Sequence, residues 1–315
     1  MKPTTWMSEE QARLIRFLSV VIPFYNEAES VTPVLWELKR ALDGFTFQFE
    51  IIAVDDGSSD GTWVKLSNLR SRISELRLIR LRGNFGQTRA METGIDQVRG
   101  DWILTMDGDG QNDPKSLKTL LNEVGRGCDV VSGWRQNRKD SAILRTVPSR
   151  MANWLLSKIT GLKLHDSGCS LKLYRTNALR SISLYSDRHR FIPFLLHMRG
   201  FRVAEAAVNH RPRTRGKSKY GLSRTVKVLL DLIGLTLFAR FKETPRLYFF
   251  VAALPFLVLA ALTLAASLTR VPAAVHHPSH ITYFGSTFLL LYGAISLVSY
   301  GLLAEWLNQF ERGGA

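Results

Sequence analysis

Cysteine is almost missing from this chain: there are two in 315 residues, Cys128 and Cys169. Two thiols cannot build the disulfide framework of a small secreted domain, and both fall in a part expected to be cytosolic, where thiols stay reduced. Acidic residues are also scarce, 27 against 42 Lys and Arg, which leaves a formal net charge of +15. Such a surplus calls for an anionic partner: nucleic acid, a phosphate-bearing substrate or an acidic membrane surface. Zinc-finger spacing, an RNP-like aromatic motif and long basic runs are all absent, so nucleic acid is set aside. No secretory signal is expected, because Arg13 and Arg16 break the only early apolar segment before residues 17–24. No internal repeat or low-complexity segment is present.

Charge is missing altogether from residues 247–269 and 281–304. As helices these stretches reach about 35 Å, enough for a hydrocarbon core of about 30 Å. Pro255 would kink the first, which membrane helices tolerate. Arg224, Lys227, Arg240, Lys242 and Arg246 precede the first stretch, whereas residues 270–280 carry a single Arg and three His. The positive-inside rule then puts the long N-terminal part in the cytoplasm and turns the chain back as a hairpin. The expectation is an integral membrane protein of a bacterial inner membrane. Its catalytic domain covers residues 1–221, an amphipathic juxtamembrane segment 222–245, and a transmembrane hairpin 246–315. Membrane lipids are partners, and a lone hairpin favours packing as a homo-oligomer.

The N-terminal part alternates strand and helix. Strands are predicted at 17–23, 47–54, 76–81 and 101–106, with helices at 31–42, 63–73 and 87–98 between them; further strands are predicted at 129–135 and 170–174, and a helix at 151–159. This rhythm means a doubly wound, mainly parallel α/β sheet. Residues 211–220 are too polar and too rich in turn formers for a core element, so a loop is expected there. Parallel strands put their C-terminal ends on one edge, so Asn26 and Glu27, Asp55 and Asp56, and Asp107 and Asp109 should converge on one crevice. Ser58, Ser59 and Asp60 fit helix capping as well as binding. Asp107-Gly108-Asp109-Gly110-Gln111 is the centre of this arrangement: two carboxylates and an amide at a strand's end, with glycines that let the backbone turn. Mg2+ is usually held by one or two carboxylates together with substrate phosphates.

Four motifs in order carry a family resemblance: Val20-Val21-Ile22-Pro23-Phe24-Tyr25-Asn26-Glu27, Val54-Asp55-Asp56-Gly57-Ser58-Ser59-Asp60-Gly61-Thr62, Asp107-Gly108-Asp109-Gly110-Gln111, and Arg213-x-x-Gly216-x-Ser218-Lys219-Tyr220. Together they resemble the family 2 glycosyltransferases of GT-A fold, of the polyprenyl-phosphate sugar transferase type. The likeness runs from residue 17 to about 305 and includes the paired spans of bacterial members. It implies inverting transfer of a sugar from a nucleotide diphosphate sugar to a polyprenyl phosphate such as undecaprenyl or dolichyl phosphate. It implies donor contacts from Pro23, Tyr25, Asn26, Glu27, Asp55, Asp56, Asn84, Gly86, Gln87, Asp107 and Gly108. Asp107, Asp109 and Gln111 would hold Mg2+ or Mn2+, with Asp109 counted as catalytic. The acceptor phosphate would fall to Arg135, Arg150, Arg213, Ser218 and Lys219. Asp166 either positions a sugar hydroxyl or caps its own turn, and is not assigned as a base.

Gly108-Asp109-Gly110 departs from the Ala-Asp-Leu character common in such loops. The Gln-x-x-Arg-Trp motif of processive polysaccharide synthases is absent, which argues against a polymerase. Two alternatives stay open: transfer to another lipid acceptor, which would need a base, and a non-catalytic anion-binding membrane adaptor on the same fold.

Overall fold

A computed structural model describes residues 15–136, 156–158, 160–182, 184, 188–212, 244–270 and 278–313. Arg150, Arg213, Ser218 and Lys219 lie outside the described residues. So do six of the nine residues of the helix expected at 151–159 and all but the last two residues of the juxtamembrane segment. The chain divides into two compact units, Met1–Ile233 and Gly234–Ala315.

The first unit is built on strands β1 (Phe17–Phe24), β2 (Gln48–Asp55), β3 (Leu76–Arg80), β4 (Trp102–Thr105), β5 (Val130–Trp134), β6 (Lys172–Arg175) and β7 (Val203–Ala207), in the sheet order β3-β2-β1-β4-β6-β5-β7. Helices α1 (Ala28–Leu42), α2 (Thr62–Arg70) and α3 (Gln87–Ile95) connect the first four strands; α4 (Leu117–Gly125) precedes β5, and α5 (Thr176–Arg180) and α6 (Ile192–His197) follow β6. In α1 the buried residues Val31, Val34, Leu35, Leu38 and Leu42 recur at helical spacing, which gives the helix one apolar stripe to lay on the sheet. The central strands are apolar on both faces because both faces are covered.

Right-handed crossovers decide which faces the helices between the first four strands take. The chain moves outward from β1 to β3, then doubles back past β1 to form β4. Leu66 and Leu69 of α2 therefore join α1 in one core, which Leu117, Leu120, Leu121 and Val124 of α4 also enter. Ala90, Met91 and Ile95 of α3, Ala178 and Leu179 of α5, and Ile192 and Leu196 of α6 build a second core on the opposite face. The reversal places a topological switch point between β1 and β4, the usual ligand crevice of an open α/β sheet.

β6 runs antiparallel to both neighbours, β4 and β5. Its first residues therefore reach the same edge as the last residues of β1, β4 and β5. β7, α4, α5 and α6 were not expected from the sequence; β7 pairs parallel to β5, and its run Val-Ala-Glu-Ala-Ala has little of the apolar or β-branched signal of a strand.

The second unit holds α7 (Pro245–Arg270) and α8 (Pro278–Gly313). Residues Pro245–Leu268 and Thr282–Leu307 are long and apolar enough to cross a membrane, and little of either is buried by protein. The two pack antiparallel. Gly293 lies against Phe256, Gly301 against Phe249, and the Thr263 and Thr287 hydroxyls bond at 2.8 Å. Small residues permit such close approach, and the hydroxyl pair satisfies itself between the helices.

Candidate active site

The edge formed by the ends of β1, β2, β4 and β5 and the start of β6 collects most of the residues picked out in the sequence. Asp107 follows β4. Its Oδ1 accepts a 2.6 Å bond from Nε2 of Gln87, the first residue of α3, and it also bonds the Ser170 side chain. Asp109 Oδ1 accepts from the backbone N–H of Gln111 at 3.1 Å. Although part of Asp107 is exposed, protein surrounds it closely. Burial, and then the neighbouring Asp109 charge, push its carboxyl up to about 6.

The two glycines of the loop have different tasks. Gly110 alone has a positive φ, +78°, and makes the turn. Gly108 is needed for space: a Cβ there would sit 2.4 Å from the Phe24 ring. Ser30 Oγ fastens the loop by donating to the Gly108 carbonyl at 2.7 Å. Gln111 donates its side-chain N–H to the Arg211 carbonyl at 3.4 Å, which leaves the amide oxygen as the atom suited to a cation. An Asn112–His210 bridge and a 2.9 Å bond from Arg211 N–H to the Gln111 carbonyl hold residues 210–212 beside this loop.

Two carboxylates and an amide oxygen match what a hard divalent cation requires when phosphates complete its shell. Asp107 supports the match directly, since a carboxyl already crowded by a second carboxylate is relieved by a positive ion. Among the described residues no three His, Cys, Asp or Glu cluster as a self-sufficient metal cage.

Asp55, at the end of β2, is fully buried. Its Oδ1 accepts from Ser58 N–H at 3.1 Å, whereas Oδ2 has no hydrogen-bond donor among the described residues and pairs with Arg80 Nε at 3.4 Å. A buried acceptor left open this way suits a donor brought by a ligand. Asp56 is used differently: its oxygens accept the N–H groups of Phe85 and Gly86 at 2.8 and 2.9 Å, so it shapes the loop that carries Asn84. Burial raises its carboxyl, against the pull of those two bonds. Asn26 adopts a positive φ of 49° and accepts from Ser59 N–H, while Ser58 Oγ accepts from Asn26 N–H. Asp60 and Thr62 accept from the backbone N–H groups of Ala28 and Glu27. Ser58, Ser59, Asp60 and Thr62 thus tie the loop after β2 to the loop after β1. Pro23 lies near the end of β1, Tyr25 and Glu27 lie along the loop that follows it, and Asn84 is exposed on its own loop.

Arg135 extends from β5 into a bidentate ion pair with Asp166, Nε to Oδ2 at 2.6 Å and Nη2 to Oδ1 at 2.9 Å, with both side chains largely buried. Glu205 of β7 in turn accepts the backbone N–H groups of His165 and Asp166 at 2.8 to 2.9 Å. Asp166 is therefore the group that orients Arg135. Sequence reading missed Ser170, Lys172, His189 and Arg190, which line a small cavity beside Asp107. They precede or begin elements on the reversed strand β6 and the turn before α6, and nothing in strand rhythm reports that a strand runs backwards.

The family model of glycosyl transferase family 2 matches residues 19–183. The chain belongs to that family. Among the relatives of this family 2 transferase, dodecaprenyl-phosphate galacturonate synthase of Rhizobium johnstonii is 45% identical over 236 residues, covering 74% of this chain and 70% of the relative. Undecaprenyl-phosphate 4-deoxy-4-formamido-L-arabinose transferase of Edwardsiella ictaluri is 37% identical over 222 residues, covering 70% and 68%. Among solved structures, glucosyl-3-phosphoglycerate synthase from Mycobacterium tuberculosis, crystallised with Mn2+, UDP and glucosyl-3-phosphoglycerate, superposes with a TM-score of 0.54 at 19% identity. It covers 73% of this chain and 82% of its own. At that identity the likeness establishes the shared GT-A fold.

Proposed function

We propose that this transferase moves a sugar, with inversion, from a nucleoside diphosphate sugar to a polyprenyl phosphate at a membrane. The observation that carries the reading is the half-buried Asp107–Asp109 pair at the β1/β4 switch point, on the same sheet edge as the Arg135–Asp166 pair. A cation-gripping site and an oriented guanidinium then share one crevice. The two relatives differ in the sugar their names give and agree on a polyprenyl phosphate acceptor. The two membrane-length helices suit an acceptor that lives in lipid.

Asp107, Asp109 and the Gln111 amide oxygen would hold Mg2+ or Mn2+. When bound, the ion offsets charge gathering on the departing nucleoside diphosphate without proton movement. Asp55 offers its open oxygen to the nucleotide, and Asp56 keeps the loop carrying Asn84 in shape. A phosphate monoester is largely a dianion near pH 7, with a second pKa of about 6, so the nucleophile needs no base. One of its oxygens bonds the anomeric carbon as the bond to the diphosphate oxygen breaks, and the pair of electrons leaves with the nucleoside diphosphate. Two anions must be drawn together, which is work for guanidinium and ammonium groups. Arg135 is assigned to it, together with Arg150, Arg213, Lys219 and the Ser218 hydroxyl, which lie outside the described residues. Asp166 holds the Arg135 fork in place. The catalytic unit faces the cytoplasm in this reading.

The test is full-length protein in lipid nanodiscs with undecaprenyl phosphate, Mn2+ and a panel of nucleotide sugars, with the lipid product weighed by mass spectrometry. One donor should give a lipid heavier by one sugar residue, and Asp109→Asn should lower turnover at least ~100-fold. Transfer to soluble phosphoglycerate instead of lipid would overturn the acceptor assignment.

A further inference from the structure

One rung of the sheet is polar from strand to strand. Lys172 of β6 pairs in register with Thr105 of β4 and Ser132 of β5, and Ser132 pairs in turn with Glu205 of β7. The next rung on the same face is Ile103, Tyr174, Val130 and Val203, packed in or against the core beneath α3, α5 and α6. Thr105, Ser132 and Lys172 are buried, and the Glu205 side chain is only 11% exposed.

Three of the four direct their bonds at a single turn, residues 165–170, which leads into β6. Glu205 accepts the backbone N–H groups of His165 at 2.8 Å and Asp166 at 2.9 Å, and pairs with His165 Nδ1 at 2.7 Å. Lys172 Nζ donates to the Ser167 carbonyl at 3.0 Å and, at 3.5 Å, to that of Arg190 in the turn before α6. Thr105 Oγ1 donates to the Ser170 carbonyl at 2.9 Å. The charges match the backbone they meet: an anion takes N–H groups where the turn begins, and a cation takes a carbonyl at its middle.

The same turn supplies the side chains that join the two halves of the site. Asp166 holds the Arg135 fork, while Ser170 bonds Asp107 and accepts from Asn112 Nδ2 at 2.9 Å. Any displacement of the turn therefore moves Arg135 relative to the Asp107–Asp109 pair.

Lys172 is the costly member of the rung. A buried ammonium loses its hydration, and an apolar side chain of similar volume would fill the place at less cost. Burial lowers the lysine to about 8, against the attraction of the Asp166 carboxylate, so it keeps its charge near neutral pH. Through its two carbonyl acceptors it ties the turn to the residues before α6, where His189 bonds Thr88 of α3 at 2.7 Å. We propose that Lys172 and Glu205 are positioning residues for transfer: from within the sheet they set the turn 165–170, and through it the placement of the Arg135 guanidinium against the Asp107–Asp109 pair. The inference rests on the reading in which Arg135 grips the acceptor phosphate.

Two readouts on the full-length protein in lipid nanodiscs test it, and one of them needs no substrate. The Trp134 ring stacks on His165 with centroids 4.2 Å apart, and so reports where the turn lies. In protein labelled with 5-fluorotryptophan, the Trp134 19F resonance is identified by its loss in Trp134→Phe. It should move in Glu205→Ala and in Lys172→Met while the remaining tryptophan resonances hold, which shows that both variants are folded. Glu205→Gln keeps an oxygen for the two N–H groups and should leave the resonance in place. Transfer is then measured with undecaprenyl phosphate, Mn2+ and the nucleotide sugar of the panel that reacts. Glu205→Ala and Lys172→Met should each lower kcat ~10- to 100-fold with the donor KM within ~3-fold, the loss expected when a catalytic group is misplaced by about 1 Å. Glu205→Gln should recover most of the rate. The double variant should lose no more than ~3-fold beyond the worse single one, because both substitutions release the same turn.

A Trp134 resonance that stays put in Glu205→Ala and Lys172→Met overturns the proposal. So does an unchanged kcat in either folded variant, a loss confined to the donor KM, or losses that multiply in the double variant. Collapse of all the tryptophan resonances together would leave these residues a structural role only and overturns it as well. If no nucleotide sugar transfers to lipid, the acceptor reading falls, and the hold on the turn is decided by Trp134 alone.

Discussion

Asp107 ties the fold to the chemistry, and replacing it with Asn should make the metal-free protein more stable while abolishing transfer. In the folded chain its carboxyl rises from 3.8 to about 6, chiefly by burial and then by Asp109. A carboxyl raised on folding contributes its full share of stability below the unfolded value near 4, and that share is lost as pH rises through about 6. At pH 7.5 without metal the charged Asp107 therefore burdens the fold. A shift of this size corresponds to about 3 kcal/mol, reduced to about 1–2 kcal/mol by the exposed part of the group. Asn keeps the oxygen that accepts from Gln87 and loses the charge. In EDTA at pH 7.5, Asp107→Asn should melt about 2–6 °C above the unmodified protein. At pH 5 the margin should shrink by about half, because the carboxyl is then largely protonated in the folded state. Saturating Mn2+ should reverse the order, since the ion stabilises only the protein that binds it. If the variant melts at or below the unmodified protein in EDTA, or if the margin does not depend on pH, Asp107 is not the strained half of a cation site.

Asp166→Ala should cost about 3 kcal/mol in denaturant melts, because it leaves the largely buried Arg135 without its bidentate partner. Arg135→Met combined with Asp166→Leu should recover much of that stability and none of the transfer activity, which separates the structural from the catalytic share. Gly108→Ala drives a methyl to 2.4 Å from Phe24 and should destabilise by about 1–3 kcal/mol. Phe24→Leu in the same chain should restore part of the loss; stability unchanged in the single variant would show that the loop relaxes freely.

The apolar runs of β1, β2 and β4 and the stripe on α1 were legible in the sequence because a strand or helix covered on a known side writes its period into the order of residues. The Asp-Gly-Asp-Gly-Gln loop was legible for a similar reason, since a strand's end, two acids and two glycines are contiguous. β7 was not, for its Val-Ala-Glu-Ala-Ala run carries little apolar signal. The sequence read Gly108 as a turn former, whereas its task is set by Phe24, 84 positions earlier, an approach that no local pattern encodes. The uncharged stretches 247–269 and 281–304 announce two membrane-length helices by composition alone, but their register, with Gly301 on Phe249 and Thr263 on Thr287, depends on side chains meeting across the pair.

By itself the order of residues determined an alternating α/β domain, a pair of apolar helices, a cationic surplus and the acids at the ends of three strands. Tertiary structure alone decided that β6 runs backwards between β4 and β5. That reversal brings Asp166, Ser170 and Lys172 to the edge where Asp107 and Arg135 end. The physical reason is that strand direction is fixed by how long connections close over the sheet, a property of the whole chain. Packing then buried the lysine of a four-residue strand in the cavity beside Asp107, next to the acids around which the site is built.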